Sequence, residues 1–539
     1  MAQGSGGFGR RSLLQGAAAG SAALALPALA AAAPAQARSG RPRADWGVQV
    51  GDVTTSSGLV WVRSDRPARM VVQTSATESF RDAGTTRTWR GPVLGAGTDF
   101  TGVTALHGLP AGEQIHYRVL LADPDDPRRA GEPVSGTFRT APDGRRTPDG
   151  TSRSGGGQRA DVRFHWSGDL AGQGWGINPE RGGYRIYEDM RRRNPDFFLC
   201  SGDNIYADNP ITDTVTLPDG RIWRNVTTEE KAKVAETLAE FRGAFRYNLL
   251  DDNLRRFNAQ VPTIIQWDDH EVHNNWYPGQ LLEDARYTEK SADVLSARSL
   301  RAFSEYFPIR TLRPDGRGRV YRVVHHGPLL DVFVLDMRRY RNANSPDRQT
   351  EDPQGILGAE QLRWLKRELS RSRAVWKVIA SDMPLGLVVP DGKTDFEAVA
   401  QGDPGAPLGR ELQLADLLRH IKHDRITGTL WLTTDVHYTS AQHYAPERAA
   451  FGDFEPFWEF VSGPLNAGGF QAVKLDGTFG PEQAFIKAPD RANTSPAESP
   501  QNFGEIDIDG ASGELTVRLR QEGGEVLFSK VLQPGRVGQ

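Results

Sequence analysis

Residues 261–275 read Val-Pro-Thr-Ile-Ile-Gln-Trp-Asp-Asp-His-Glu-Val-His-Asn-Asn. The first part, Val261 to Trp267, is rich in β-branched residues and predicts a buried strand. The second part begins with Asp268-Asp269-His270-Glu271 and ends with Asn274-Asn275, so possible metal ligands follow the strand directly. Ligand sites in α/β sheets lie just beyond the carboxyl ends of strands. This stretch therefore indicates an α/β fold with a site at the strand ends.

Three other apolar runs end in the same way. Their endings are Ser167-Gly168-Asp169, Ser201-Gly202-Asp203-Asn204-Ile205-Tyr206 and Thr434-Asp435-Val436-His437. A single Asp after a strand is usually a turn former or a helix cap. Four such endings in one region indicate a shared site instead. Carboxylate, imidazole, amide and phenol groups suit Fe, Mn, Zn, Mg or Ca rather than Cu(I) or an iron–sulfur cluster.

Strands and helices alternate between residues 161 and 535. Helical spacing is present at 184–193, within 228–256, at 358–370 and at 412–421. Thr228 is a plausible N-cap for the second of these regions. The alternation predicts an α/β layered domain over residues 161–535.

The preceding residues have a different pattern. Residues 45–142 contain short strands, such as Leu59-Val60-Trp61-Val62, separated by polar turns. This pattern predicts a small β-sandwich domain of the immunoglobulin or fibronectin III type. Residues 143–160 are rich in Gly, Arg and Ser, which predicts a linker.

The N-terminus has the features of an export signal. Arg10 and Arg11 precede an Ala/Leu-rich run, and Ala35-Gln36-Ala37 is a small-x-small cleavage pattern. Residues 1–37 are therefore predicted to be a twin-arginine signal, with the twin-arginine export machinery as partner. The alternative is a fortuitous basic N-terminus before an apolar helix. The prediction places the protein outside the cell, in the periplasm or at the cell wall.

Composition sets further bounds. A chain of 539 residues exceeds what one core usually serves, so at least two domains are expected. The formal net charge is −3, whereas nucleic-acid-binding proteins are usually basic, so the charge gives no indication of nucleic-acid binding. The single cysteine, Cys200, permits neither an intramolecular disulfide nor a cysteine-rich zinc module. No stretch after the signal is long and apolar enough to predict a transmembrane helix.

The sequence resembles a known family in these same motifs. The order of Asp, Gly-Asp, a His-bearing motif and a late His motif is similar to the metallophosphoesterases. The blocks 201–206, 267–275, Leu335-Asp336-Met337-Arg338 and Asp435-Val436-His437 resemble the PhoD-like alkaline phosphatase/phosphodiesterase family. The resemblance implies two packed mixed sheets flanked by helices, preceded by a β-sandwich. It covers nearly the whole mature chain.

The resemblance also implies a cluster of Fe³⁺ with Ca²⁺. It makes Asp203 a bridging carboxylate and Tyr206 a phenolate on the iron. By the same resemblance, Asp269, Asn275, Asp435 and His437 are candidate ligands. The residues alone do not decide whether Asp268 or Asp269 faces the metal; the superfamily motif favours Asp269.

One departure concerns the first strand. Many PhoD-like proteins place a cysteine ligand at its end, where this chain has Asp169. A carboxylate is a harder ligand than a thiolate, so Mn or Zn also fits the site. Cys200 lies inside the second strand and is expected to be a buried, small apolar residue.

The expected chemistry follows from charge. Cations bridged by one carboxylate neutralise phosphate oxygens and lower the pKa of a bound water, which then attacks in line. The resemblance to the metallophosphoesterases makes His270 the candidate to protonate the leaving oxygen or to hold the phosphate. The alternative is a histidine that ties down the strand end through a backbone bond. Arg338 is a candidate to grip the phosphate, with a solvated basic loop as the alternative.

These features predict an exported, metal-dependent phosphoesterase that hydrolyses phosphomonoesters, phosphodiesters or both. An alternative is phospholipase D-like hydrolysis of phospholipid headgroups, which an apolar rim around the cleft would favour. An open basic cleft would favour soluble esters. A third hypothesis is a non-catalytic protein that binds a cell-envelope polymer, and complete sets of candidate ligands argue against it.

Overall fold

The computed structural model describes residues 40–82, 84–143 and 160–535. The predicted export signal at 1–37 and all but the two ends of the predicted linker at 143–160 lie outside the described residues. No helix in the described residues combines the length and the hydropathy that crossing a membrane requires.

The N-terminal part consists of short strands that form a sandwich. They are β1 (Val48–Gly51), β2 (Ser57–Arg63), β3 (Ala68–Ser75), β4 (Arg87–Leu94), β5 (Thr101–His107), β6 (Gln114–Ala122) and β7 (Val134–Arg139). Strands β4-β3-β6-β7 form one antiparallel sheet, and β1, β2 and β5 form the facing layer. Alternating side chains of both layers, among them Val60, Met70 and Tyr117, pack into a common core. The predicted β-sandwich strands are therefore present.

The rest of the chain alternates strands with helices. The first half contains β8 (Val162–Ser167), α1 (Arg185–Arg192), β9 (Phe197–Ser201), β10 (Thr214–Thr216), β11 (Ile222–Arg224), α2 (Leu238–Asn248), α3 (Asp252–Gln260), β12 (Thr263–Gln266) and α4 (Ala292–Tyr306). The second half contains β13 (Arg322–His326), β14 (Leu330–Val334), α5 (Gly358–Arg371), β15 (Trp376–Ala380), β16 (Pro390–Asp391), β17 (Asp395–Phe396), α6 (Glu411–His423), β18 (Thr429–Thr433), β19 (Thr439–Tyr444), β20 (Phe457–Val461), β21 (Pro481–Lys487), β22 (Asn502–Ile508), β23 (Leu515–Gln521) and β24 (Val526–Leu532).

Two large mixed sheets organise these elements. The first has nine strands in the order β24-β23-β22-β8-β9-β12-β1-β2-β5, and β8, β9 and β12 run parallel. The second has seven strands in the order β13-β14-β15-β18-β20-β19-β21, and β14, β15, β18 and β20 run parallel. Side chains alternate across each strand, and the central strands β9, β12, β14 and β15 are buried on both faces.

The two sheets pack face to face, with helices outside. Leu199 of β9 and Val378 of β15 belong to the core between the sheets. Their neighbours in sequence face outward: Cys200 packs with the residues of α1 to α4, and Ile379 packs with those of α5 and α6. The predicted α/β layered class is confirmed, and Cys200 is the buried apolar residue that was expected.

The N-terminal sandwich is continuous with the first sheet. Strand β1 pairs in parallel with β12 through Gly51 and Thr263. A buried ion pair between Asp52 and Arg322 at 2.8 Å reinforces this contact. The domain limits at 45–142 and 161–535 stay a prediction, but a shared sheet couples the two regions firmly.

The helical region predicted at 228–256 is divided in the structure. Helix α2 begins at Thr237, whose side chain accepts the amide of Glu240, while Glu240 accepts the amide of Thr237. This reciprocal capping box fixes the helix start. Asp251 caps α3 separately, so the chain breaks between the helices. The prediction of Thr228 as the cap was therefore wrong.

Candidate metal centre

The predicted ligands converge because strands of both sheets end at one edge. Asp169 follows β8, Asp203 follows β9, Asp269 follows β12 and Asp435 follows β18. The hydroxyl of Thr434, at the end of β18, donates to the carbonyl of Ser201 at 2.9 Å and ties the two edges together. The loops that carry the candidate ligands therefore begin at strand ends that are held in place by hydrogen bonds.

Two groups of side chains have the spacing of metal ligands. Asp169, Asp203 and His437 offer ligand atoms within 4.8 Å of one another, and so do Asp203, Asp269 and His270. All five residues are buried. Asp203 belongs to both groups, which is the position that a bridging carboxylate would take.

Several of these residues share an uncommon backbone conformation. The φ angles are 66° for Asp169, 47° for Asp203, 59° for Asn275, 75° for Asp435 and 56° for His437. A left-handed conformation in a residue other than Gly costs on the order of 1 kcal/mol and persists where the surroundings enforce it. Such residues cluster at functional sites.

His437 presents one ring nitrogen to the site. Its Nδ1 donates to the carbonyl of Gly468 at 2.6 Å, which leaves a lone pair on Nε2. That Nε2 accepts the hydroxyl of Tyr206 at 2.7 Å. Burial lowers the pKa of His437 to about 4, so the ring is neutral as a metal ligand requires.

Tyr206 is held tightly beside this histidine. Its side chain is fully buried, and a Cβ on Gly172 would lie 2.6 Å from its ring. Burial, together with the carboxylates of Asp203 and Asp169, raises the pKa of the phenol well above its usual value. The phenolate expected from the resemblance therefore requires a nearby cation.

His270 is bound to a carboxylate that sequence reasoning missed. Its Nδ1 donates to Asp208 at 2.7 Å, and Asp208 also accepts the amide of Asn274 at 3.0 Å. Burial alone would lower the pKa of His270, but Asp208 and Asp269 outweigh it and raise the pKa to about 10. The ring thus bonds to a carboxylate and not to a backbone carbonyl. The one signal in the sequence was that Asp208 lies in the same loop as Asp203.

The structure separates the two adjacent aspartates. Asp269 accepts the amides of His270 at 2.8 Å and Asn275 at 2.6 Å and points its carboxylate to the site. Asp268 points away and forms an ion pair with Arg338 at 2.5 Å. Asp269 is therefore the one of the two that has a ligand's geometry.

Arg338 is not placed to contact a substrate. Its side chain has 0% exposure and lies among carboxylates, with Nη1 at 2.5 Å from Glu397. The guanidinium therefore balances buried negative charge below the site. The structure corrects the assignment of Arg338 as a phosphate-binding residue, because a fully buried side chain that is paired with Asp268 and Glu397 does not line the cleft.

The charge balance of the site fits bound cations. The carboxylates near it are those of buried Asp169, Asp203, Asp208, Asp268, Asp269, Glu271, Asp382 and Glu397 and of half-buried Asp435, whereas the buried cationic groups nearby are those of Lys231, His270, Arg338, Arg341 and Arg410. One oxygen each of Asp169 and Asp435 is buried without a hydrogen-bond partner. Burial raises the pKa of both carboxyls. Buried, unpaired anions of this kind are costly unless a cation binds them.

A cleft of about 430 Å³ opens above the two ligand groups. Asp203, Asp269, His270, Asp435 and His437 form its floor. Amide side chains line one part of its wall and apolar side chains another. The cleft gives a substrate access to the ligand atoms.

Comparison with known proteins agrees with this arrangement. The family model of the PhoD-like phosphatases matches residues 164–519. The model of the PhoD-like phosphatase N-terminal domain matches residues 29–142. Alkaline phosphatase D of Bacillus subtilis (strain 168) is 30% identical over 315 residues, which is 55% of this chain and 50% of that protein. The chain thus matches about half the length of this curated relative.

Solved structures show the same fold. A structure of PhoD is 20% identical, with a TM-score of 0.67 and 93% of each chain covered. The purple acid phosphatase PPD1 from yellow lupin (Lupinus luteus) seeds is 12% identical, with a TM-score of 0.53 over 92% of this chain and 74% of that one. Because the family model spans well over half of its residues, the chain belongs to the PhoD-like phosphatase family.

Proposed function

We propose that this chain is an exported phosphoesterase that hydrolyses phosphomonoesters, phosphodiesters or both with the aid of bound metal ions. The observation that carries the proposal is the position of Asp203, whose carboxylate belongs to two ligand groups at the floor of an open cleft. A single carboxylate shared in this way is typical of two-metal hydrolytic sites.

Two ligand sets around Asp203 support this proposal. Asp169, His437 and Tyr206 would hold one cation. Asp269 would hold the other, with Asn275 and Asp435 as the further ligands that the family resemblance implies, because His270 of the second group is bonded to Asp208 and is assigned as the proton donor. Fe³⁺ and Ca²⁺ are the ions that the family resemblance implies, and the hard carboxylate of Asp169 also suits Mn or Zn. Bound cations neutralise the phosphate oxygens and lower the pKa of water in the site.

His270 supplies the proton that the leaving group needs. Asp208 accepts the Nδ1–H hydrogen bond of His270, which fixes the ring. The other ring nitrogen, Nε2, faces the floor of the cleft and lies 4.0 Å from the carboxylate of Asp269. The imidazolium donates its Nε2 proton to the leaving oxygen as the phosphorus–oxygen bond breaks. The fixed ring orientation makes this general acid effective without further reorganisation.

The Asp203→Asn variant tests this proposal. Loss of the shared anionic ligand is expected to remove bound metal and to lower kcat/KM for both ester classes by at least about a thousandfold, since each metal ion contributes several kcal/mol. Elemental analysis and assays with a phosphomonoester and a phosphodiester measure the two effects together. Asp315→Asn, in an exposed loop, is the matched control. Metal content or turnover equal to that of the wild type would rule out the bridging role.

Phospholipid headgroup hydrolysis is the second candidate function. Among the described residues that line the cleft, none is Lys or Arg, and part of the wall is apolar. These features favour an ester with an apolar portion over a polyanionic one. Assays with phospholipid vesicles and with a soluble diester distinguish the two; a preference for the soluble diester would reject the lipid candidate.

Export is the other part of the proposal. Replacing Arg10 and Arg11 together by Lys is expected to retain the protein in the cytoplasm, because the twin-arginine route reads that pair. Fractionation of the native host with an activity assay measures the distribution. Unchanged secretion of the double variant would show that another signal directs the protein. Inactivity of metal-loaded wild-type protein towards all esters would favour the non-catalytic envelope-binding hypothesis.

A further inference from the structure

Part of the cleft lining is apolar, and we call Val389, Pro390, Val436, Phe470 and Val473 the apolar wall. Exposed Gln471 and Ala472 lie between Phe470 and Val473 in the chain and also line the cleft. Phe470, Val389 and Val473 are half-buried, and Pro390 is exposed, so the wall faces the open space of the cleft. An aromatic ring beside a charged floor is costly to leave in water and is typical of a surface that binds apolar groups.

The apolar wall is rigid because two chain segments brace it from behind. The amide of Val388 donates to the carbonyl of Lys474 at 2.9 Å, next to a β-bridge between Leu387 and Leu475. Val389 and Val473 pack against a buried cluster that contains Leu387. The wall is therefore preformed, and a ligand would lose little entropy in ordering it.

Phe470 is placed at a defined distance from the metal ligands. Its ring centroid lies 5.2 Å from that of His437, with the two planes at 72°. The carbonyl of Gly468, two residues before Phe470, accepts Nδ1 of His437. The segment that orients the ligand thus also carries the aromatic ring. A phosphate at the floor would have one of its ester substituents beside Phe470.

Neutral amides also line the cleft. Gln173, Asn274 and Asn275 present them, and the Gln173 side chain accepts the amide of Gly468 at 3.2 Å, two residues before Phe470. No Lys or Arg occurs among the described lining residues, so a second anionic group on the substrate would find no cationic partner in the wall. The lining therefore favours an apolar ester substituent over a charged one.

From this arrangement we propose that Phe470, supported by Val473, forms a subsite for an uncharged, apolar ester substituent and is the specificity-determining residue of the cleft. The inference rests on the proposed phosphoesterase function, since the floor must hold the phosphate. It adds which part of the substrate is recognised and by which side chain.

Phosphonates test the subsite without the complication of leaving-group chemistry. Metal-loaded full-length protein is titrated by calorimetry with phenylphosphonate and with methylphosphonate. The wild type is expected to bind phenylphosphonate about tenfold more tightly, because the phenyl ring buries apolar surface against Phe470. Phe470→Gln is expected to reduce this ratio to about threefold or less, whereas Phe470→Leu, of similar size and apolar, retains most of it.

A matched control and a second variant make the result decisive. Phe80→Ala removes a half-buried ring that does not line the cleft, and its ratio is expected to equal that of the wild type. If Phe470→Gln fails to fold, Phe470→Ala is used, with the same expected loss. Equal binding of both phosphonates by the wild type, or an unchanged ratio in the Phe470→Gln variant, would overturn the subsite and leave the phosphoesterase proposal standing. If neither phosphonate binds, the subsite proposal fails, and the hydrolysis assays decide the phosphoesterase proposal separately.

Discussion

Asp203, Tyr206 and Asp208 lie in one loop and face three different partners. Asp203 belongs to both ligand groups, Tyr206 reaches His437, and Asp208 holds His270. Buried Lys231 supports the loop by donating to the carbonyl of Tyr206 at 2.6 Å. At the residue scale, one loop therefore positions two of the proposed ligands and the carboxylate that holds the proposed proton donor.

Tyr206→Phe is expected to abolish any visible absorption band of the metal-loaded protein. A phenolate bound to ferric iron produces a charge-transfer band, and phenylalanine has no oxygen to bind. An absorption spectrum of protein purified from its native host measures the effect. Tyr187→Phe, another buried tyrosine, is the control and is expected to retain the band. A band that persists in Tyr206→Phe would reject the phenolate ligand.

Asp208→Asn is expected to weaken the general acid. The neutral amide no longer holds the pKa of His270 above its usual value, so the protonated ring is lost at a lower pH. The basic limb of the kcat profile is expected to move to lower pH. Turnover of an alkyl phosphate is expected to fall about a hundredfold, within the range of general-acid contributions.

A comparison of substrates separates this role from a structural one. A 4-nitrophenyl ester needs little protonation of its leaving group, so its turnover is expected to fall much less than that of the alkyl ester. Equal losses for both esters, with an unshifted pH profile, would show that Asp208 only maintains the local structure.

At the scale of elements, the ends of β8 and β20 approach each other at the site. Gly463 follows β20, and a Cβ at this position would lie 2.2 Å from Oδ2 of Asp169. Asp169 and the backbone at the end of β20 are therefore fitted to one another. The carboxylate has room only because residue 463 is a glycine.

Gly463→Ala is expected to displace the Asp169 carboxylate and to weaken metal binding at least about tenfold, a loss equivalent to 1.4 kcal/mol. Metal retained after dialysis, measured by elemental analysis, reports the change. Gly97→Ala is the control, because no heavy atom lies within 4 Å of a Cβ at that position. Wild-type metal retention in Gly463→Ala would show that Asp169 is not a required ligand.

Elements also show where sequence patterns are reliable. The strands around 197–201, 263–266 and 429–433 agree with their predicted positions within about two residues, because continuous apolar runs of that length fit buried strands. The helical region at 228–256 was misjudged, since Thr228 and Thr237 are equally good caps in isolation. Only the reciprocal bonds between Thr237 and Glu240 select the real start.

At the scale of the whole molecule, the residues of the site come from both sheets. The first sheet contributes Asp169, Asp203 and Asp269, and the second contributes Asp435 and His437. Neither sheet alone assembles the ligand groups. The site exists only when both sheets are folded, so metal ions that bind its carboxylates are expected to stabilise the entire fold.

The metal-free protein is expected to lose stability as the pH rises. Burial raises the pKa of Glu271 to about 7, and Asp208 and Asp269 overcome the effect of burial to raise the pKa of His270 to about 10. Each folded pKa exceeds its unfolded value. The stability that each group contributes is therefore complete below the unfolded pKa and is lost as the pH rises through the folded one.

Urea unfolding of chelated protein between about pH 7 and about pH 9 measures this trend. Below this range the lowered pKa of His437 acts in the opposite sense, because the unfolded state then binds more protons. The free energy of unfolding is expected to decrease across the range. Added metal is expected to raise it most at the alkaline end, because cations bind the deprotonated ligands. A chelated protein that becomes more stable with rising pH would contradict the charge balance derived from the structure.

The sequence by itself determined the layered α/β class, the order of the strands that end in ligands and nearly all the residues at the floor of the cleft. These follow from side-chain identity and from the period of apolar residues, which are local properties of the chain. Only the tertiary structure decided that Asp269 faces the site while Asp268 faces Arg338, that Arg338 is sealed below the site, and that Asp208 holds His270. Adjacent residues after a strand point in different directions. Arg338 lies 70 residues from Asp268, and Asp208 lies 62 residues from His270. Packing between distant segments therefore decides which of the two side chains faces the site and which pairs with the guanidinium of Arg338.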